Sequence, residues 1–167
     1  MATPSCTAIE ACRTSDPVLL ISPDPEDSAL LREILASLGC RLESASGWHA
    51  AKSALRRDAF GLIVTERNLP DGDWRDVLSS LEHFSHPPLL IVISKLADEC
   101  LWAEVLNQCG FDVLAKPLAR DEVARVLGSA LDTWNRSPAK WPAAISDSAR
   151  HRRRAGGHTT GLTECGF

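Results

Sequence analysis

The amino-acid sequence predicts a three-layer α/β sandwich, a parallel five-stranded sheet covered by helices on both faces. Three observations predict it. Between residues 17 and 136, five short strand-like runs alternate strictly with amphipathic helical windows, the pattern of βαβ crossovers. The runs, VLLIS and LLIVIS above all, are apolar throughout rather than at every second position, as burial on both sides demands. The chain of 167 residues, 44% apolar and 24% charged, suffices for one domain with its own core, plus tails.

The elements follow in order. VLLIS (18–22) reads as a buried strand, and PDPED supplies a turn and a helix start. Leu30, Leu31, Ile34, Leu35 and Leu38 then recur at helical spacing until Gly39 ends the helix. CRLESAS (40–46) is a weaker strand, followed by a helix over 47–58. FGLIVTE (60–66) is the third strand, and the next helix begins near Asp73 with Trp74, Val77, Leu78 and Leu81 on its apolar face. PPLLIVIS (87–94) is the fourth strand, 97–110 a helix, and DVLAKP (112–117) the fifth strand. The last helix runs from Arg120 to Trp134 and turns Val123, Val126, Leu127 and Leu131 to one side. Trp74, Trp102 and Trp134 are read as partly buried anchors on these helices.

Composition excludes several classes. A formal charge of -4 gives no field to gather nucleic acid or an anionic membrane. The longest apolar runs fall short of a bilayer span, and MATPSCTAIEACRTSD lacks the charged and apolar regions of a secretory leader. A cytoplasmic protein is the expectation. Six cysteines (6, 12, 40, 100, 109 and 165) follow no metal-ligand spacing. Cys40, Cys100 and Cys109 lie in apolar-patterned elements and read as buried, reduced thiols. No metal cage is predicted. Residues 1–16 and 137–167 lack apolar periodicity and read as flexible tails, the second carrying the basic run RHRRR (Arg150 to Arg154) as a solvated charge cluster.

Open parallel sheets work at the carboxyl ends of their strands, which singles out Ser22 to Asp24, Glu66 to Asn68, Ser94 to Lys95, and Lys116. Four segments there carry a resemblance in order and spacing: VLLIS with PDPED, FGLIVTERNLPDGDW, IVIS, and GFDVLAKPLARDE. Together they make residues 17–136 resemble the receiver domain of bacterial two-component response regulators. The resemblance implies the flavodoxin-like (CheY-like) strand order 2-1-3-4-5. It also implies phosphoryl transfer from a histidine kinase to an aspartate. Such a transition state needs a divalent cation, an ammonium and a hydroxyl to neutralise its oxygens.

This chain departs from that pattern. Ser22 and Pro23 stand where the resemblance implies two metal-binding acids, leaving Asp24 one residue late. Glu66 stands at the acceptor position, one methylene longer than aspartate, and Val113 replaces a common aromatic. Ser94 and Lys116 match the implied hydroxyl and ammonium, and Lys116-Pro117 matches a peptide bond that is typically cis in the family. The expectation is an atypical stand-alone receiver-like module that is not an enzyme and works by protein contact, without cofactor or metal. The alternative is a phosphorylatable regulator in which Asp24 recruits magnesium. Two readings of Glu66 stay open: an ion pair with Lys116, Ser94 nearby, that mimics the activated state, or a purely structural pair. The resemblance points to a histidine kinase or another signalling protein as partner. It also places dimerisation or docking around the fourth and fifth helices, near Leu101, Trp102 and Val105. Asp71 and Asp73 read as turn and helix-capping acids.

Overall fold

A computed structural model describes residues 17–136. The expected tails, with Cys6, Cys12, Cys165 and the RHRRR run, lie outside the described residues. The elements are β1 (Val18–Ile21), α1 (Pro25–Ser37), β2 (Leu42–Ala45), α2 (Trp48–Arg57), β3 (Leu62–Glu66), β4 (Asn68–Leu69), β5 (Gly72–Asp73), α3 (Trp74–Leu81), β6 (Leu89–Ser94), α4 (Glu99–Asn107), β7 (Asp112–Ala115) and α5 (Arg120–Arg136). The main sheet runs β2-β1-β3-β6-β7, parallel at every pairing. With the two-residue strands β4 and β5 set aside, this is the order 2-1-3-4-5.

Strand pleating sorts the core into two layers. Leu19, Ile21, Ile63, Leu90, Val92 and Val113 face Trp48, Trp74, Leu101 and Val105, side chains of α2, α3 and α4. Leu20, Leu62, Val64, Ile91, Ile93 and Leu114 face α1 and α5 through Leu31, Leu35, Val123 and Leu127. Every residue of β1 and β6 is buried, at about 1.5–3 kcal/mol for each large aliphatic side chain. Helix α1 starts where Asp24 caps it, the Glu26 amide donating to Asp24 Oδ1 at 3.0 Å, with Pro25 next. It ends where Gly39 takes φ 73°, a left-handed conformation that glycine adopts without strain.

Two expectations need correction, and the loop after β3 adds a feature. Cys100 is exposed in the first turn of α4 and disulfide-bonded, while Cys40 and Cys109 are half-buried thiols rather than fully buried ones. On α4 the inward positions belong to Leu101 and Val105, so the helical phase turns Cys100 outward. Trp74 is wholly rather than partly buried, with its indole Nε1 unpartnered. Trp102 is 41% exposed and Trp134 half-buried. The loop after β3 forms the hairpin β4–β5, with Asn68 opposite Asp73 and Leu69 opposite Gly72. A two-residue ladder is too short to leave a periodic signal. Among the described residues, no helix is long and apolar enough to cross a membrane.

Candidate functional site

The site forms at the carboxyl edge, where β1, β3 and β7 end. Parallel register sets Ile21 beside Thr65, so Ser22 and Glu66 leave adjacent strands one residue later. β7 ends at Ala115, opposite Ser94, and the Lys116 amide donates to the Ser94 carbonyl at 2.9 Å. That backbone anchor aims Lys116 back across the edge. Its Nζ lies 2.8 Å from Glu66 Oε1, 2.6 Å from Asp27 Oδ2 and 3.4 Å from Asp24 Oδ2. An ammonium has three protons, and three carboxylates take them.

Ser22 closes the arrangement into a ring. Its hydroxyl donates to Glu66 Oε1 at 2.7 Å and lies 3.3 Å from Asp27 Oδ2. One proton serves one acceptor at a time, so Glu66 is the principal partner. The oxygen of the same hydroxyl accepts from the Asp24 amide at 3.0 Å, which fixes the turn leading into α1. Burial gives the ring its strength: the side chains of Lys116, Asp27 and Glu66 are 11%, 9% and 19% exposed. Burial pulls the Lys116 ammonium toward neutrality, but its hydrogen bonds to Asp27 and Glu66 outweigh this and raise its pKa overall. Lysine is therefore charged throughout the physiological range. Asp24, at the rim, is held below the ordinary carboxylate value chiefly by the Glu26 amide, with Lys116 adding to the effect.

The structure thus joins Ser22, Asp24, Glu66 and Lys116, as the sequence suggests, and adds Asp27. Sequence reasoning treated Asp27 as an ordinary acid of a helix start. A signal was available in its place one helical turn beyond the strand end, on the first turn of α1. Pro23 is exposed and offers no side-chain donor. Ser94 does not join the ring: its buried hydroxyl donates to the Leu96 carbonyl (3.0 Å) and accepts from the Leu96 amide (3.1 Å). Local hydroxyl-to-backbone bonding of this kind competes with longer contacts. The Lys116-Pro117 peptide is cis, as expected. Val113 is buried in the core.

Another carboxylate works at the start of α2. Asp71, in the β4–β5 turn, accepts from the amides of Trp48 (2.6 Å) and His49 (2.7 Å), and His49 Nδ1 lies 3.1 Å away. It caps α2, whose own N-cap, Gly47, has no side-chain acceptor. A Cβ on Gly47 would lie 2.7 Å from Asp71 Oδ1, so glycine makes room for the cap. These amides, that of His49 first, hold the Asp71 pKa low. Asp73 caps α3 in a capping box with Asp76. Both acids are caps, on two different helices.

The resemblance implies a divalent cation held by this donor set. It does not fit. Ser22 and Pro23 supply no carboxylate, one oxygen each of Asp27 and Glu66 is engaged by Lys116, and no described group of acids, histidines or cysteines could hold a metal ion.

Comparison with known proteins adds the lineage. Residues 18–127 match the model of the response regulator receiver domain family. The sensor protein GacS of Pseudomonas syringae pv. syringae is 25% identical over 118 residues, covering 66% of this chain and 13% of that protein. The response regulator protein PilR of Pseudomonas aeruginosa is 27% identical over 115 residues, covering 68% of this chain and 25% of that protein. The chain therefore spans a quarter or less of either relative. In structure, the chemotaxis response regulator CheY4 of Vibrio cholerae superposes with TM-score 0.64 at 15% identity, covering 70% of this chain and 99% of that one. A receiver domain protein of Methanospirillum hungatei gives TM-score 0.65 at 17% identity, covering 74% and 98%.

Proposed function

The chain belongs to the response regulator receiver domain family, and from that premise we propose that it is an atypical receiver acting through protein contacts rather than by accepting phosphate. One observation carries the reading: the closed ring of Ser22, Glu66, Lys116 and Asp27. Phosphoryl transfer to a carboxylate needs that carboxylate free for in-line attack and positive charge free to meet the developing anion. Here one oxygen of Glu66 takes both the Ser22 hydroxyl and the ammonium, and every ammonium proton faces a carboxylate. With three carboxylates against one ammonium, the pocket repels an incoming phosphoryl group.

The module is not an enzyme on this reading, needs no cofactor, and works in the cytoplasm with a histidine kinase or another signalling protein rather than with nucleic acid or membrane. Its contact surface lies around α4. Leu101 and Val105 point into the core, so the outer face of that helix offers Trp102 and Leu106 instead, with Leu96 just before it. A second copy of the chain meeting this face and α5 belongs to the same reading.

The test is incubation with a small acyl phosphate and magnesium, read by intact mass. The expected result is no phosphoryl adduct on the unaltered protein, nor on Glu66→Asp, which shortens the reach but leaves Lys116 in its ring. An adduct mapped to Glu66 at a typical receiver's rate overturns the proposal in favour of a phosphorylatable regulator.

A further inference from the structure

Leu96, Trp102 and Leu106 are 70%, 41% and 46% exposed on and just before α4, and Cys100, exposed in the first turn of the same helix, carries a disulfide. From these two observations we infer that the outer face of α4 docks the chain's own segment 137–167, fastened by a disulfide between Cys100 and Cys165. The bond covers the face when made and frees it when broken. Its consequence for partners rests on the contact-based reading above, while the disulfide itself does not.

Geometry narrows the choice of partner sulfur. Cys109 lies just past the end of α4, nine residues on and ~13 Å along the axis, whereas bridged cysteines keep their Cα atoms within ~7 Å. Cys40 precedes β2, at the edge of the sheet opposite β7, and packs in the layer of α1 and α5, across the sheet from α4. Cys6, Cys12 and Cys165 remain. β1 enters the sheet at its amino edge, while α4 starts at the carboxyl edge after β6, two strands away. Cys12, six residues before Val18, reaches only ~20 Å, too short to pass round the sheet. The 29 residues from Arg136 to Cys165 extend to ~100 Å, ample for a return along α4, and Cys6 is also within reach.

Charge and apolar character choose between Cys6 and Cys165. Asp98 and Glu99, at the start of α4, are exposed and have no ion pair among the described residues. Segment 137–167 carries five Lys and Arg against two acids, four of them in RHRRR, whereas segment 1–16 carries one Arg against two acids. The acids of α4 attract the first and repel the second. Leu162 and Phe167 flank Cys165, so the bond brings apolar side chains to Trp102 and Leu106. A contact of this size is weak between separate molecules, and the tether makes it intramolecular. The bond forms by exchange with a low-molecular-weight disulfide. One cysteine thiolate attacks it and releases a thiol, the other attacks the mixed disulfide and releases a second, and two electrons and two protons pass to the thiols released. Cytosolic disulfides are usually transient and redox-sensing, which makes this one a switch.

The experiment takes the full chain through dithiothreitol and then oxidised glutathione, and maps its peptides by mass after digestion without reduction. Acrylamide quenching of Trp102 is read alongside, as the difference between the unaltered protein and Trp102→Phe. The oxidised chain should yield a peptide cross-linked from Cys100 to Cys165 that is lost in dithiothreitol. Trp102 should lose most of its quenching on oxidation and regain it on reduction. Cys165→Ser should abolish both changes, and Cys6→Ser should abolish neither. A cross-link from Cys100 to Cys6, to Cys12 or to a second chain overturns the inference, as does the absence of any cross-link. A Cys100–Cys165 peptide with unchanged Trp102 quenching overturns it as well, because the segment would then be tied to α4 without covering its face. A phosphoryl adduct on Glu66 would sink the contact-based function while leaving the disulfide map as it stands.

Discussion

Two of this molecule's carboxylate junctions, the ring at Lys116 and the cap at Asp71, differ in depth. At the ring, Asp27 and Glu66 hold Lys116 where the side chains are 9%, 19% and 11% exposed. At the cap, Asp71 ties the β4–β5 hairpin to α2 with its side chain 29% exposed and its histidine partner 84% exposed. The ring joins full charges across three elements of the sheet edge, whereas the cap joins one charge to two backbone amides. The low dielectric around the ring strengthens its attractions, and it makes the loss of any one member expensive. The cap stays close to water, which can replace much of what is lost. The ring should therefore govern global stability, and the cap the local order of the loop after β3.

The largest expected effect tests the first half of that comparison. Removing one partner of a buried ion pair costs ~3–5 kcal/mol. The residual exposure of Lys116 and Glu66 lowers this to roughly 2–4 kcal/mol for Lys116→Met in metal-free buffer at neutral pH. Asp27→Asn keeps the shape and leaves Glu66 to pair with Lys116, so its expected cost is smaller, about 1–3 kcal/mol. Urea denaturation of both variants measures the order. The ammonium has a raised pKa, so its contribution is fully present below the ordinary lysine value of 10.5 and is lost as pH climbs through the folded value. The Lys116→Met deficit should thus stay flat from neutral pH to about 10. A deficit that vanishes within that range would mean the ammonium is not held as described.

Much of this was legible in the sequence, for identifiable reasons. Each long strand announced itself through continuous apolar residues, because both faces of the sheet are covered. Glu66 and Lys116 were legible because strand ends in a parallel sheet converge on one edge. Asp27 was missed because its role depends on which side of α1 meets the end of β7, a relation between elements far apart in the chain. Asp71 was recognised as a cap or turn acid, but the helix it serves is not the next one. Gly47, a helix start without a side-chain acceptor, was the available sign that a cap had to come from elsewhere. Ser94 was placed at the right strand end, yet its hydroxyl found the Leu96 backbone two residues away before it could find Glu66.

The cap supplies an intermediate effect and a sign. Asp71 has a lowered pKa, so its contribution is present above the ordinary carboxylate value of 3.8 and is lost as pH falls through the lower folded value. Asp71→Asn should lower the melting temperature less than either ring variant. The gap from the unaltered protein should be steady from pH 7 to about 5 and shrink below pH 3.8. Hydrogen exchange should quicken at the Trp48 and His49 amides, which lose their acceptor, and in the loop 67–73, while β1 and β6 stay protected. Equal acceleration across the sheet would show that the cap is coupled to the whole fold and would erase the contrast drawn with the ring.

The smallest effect is expected at a third carboxylate junction, on the surface between α3 and α4. Arg75 Nε lies 2.8 Å from Glu104 Oε1, its Nη1 is 3.3 Å from Asp73 Oδ2, and its guanidinium stacks 5.1 Å from the centre of the Trp74 ring. Contact for contact this rivals the ring at Lys116, but the Arg75 side chain is 44% exposed. Water and salt screen such a pair, and ordering a long side chain offsets part of its attraction, so Arg75→Ala should cost only ~0.2–1 kcal/mol. Measured by urea denaturation in low salt and again in 1 M salt, where the screening length is about 3 Å, the deficit should shrink further. The deficit of Lys116→Met should hold in the same comparison. If Arg75→Ala costs as much as Lys116→Met and resists salt equally, then the number of contacts rather than their burial sets the strength of these junctions.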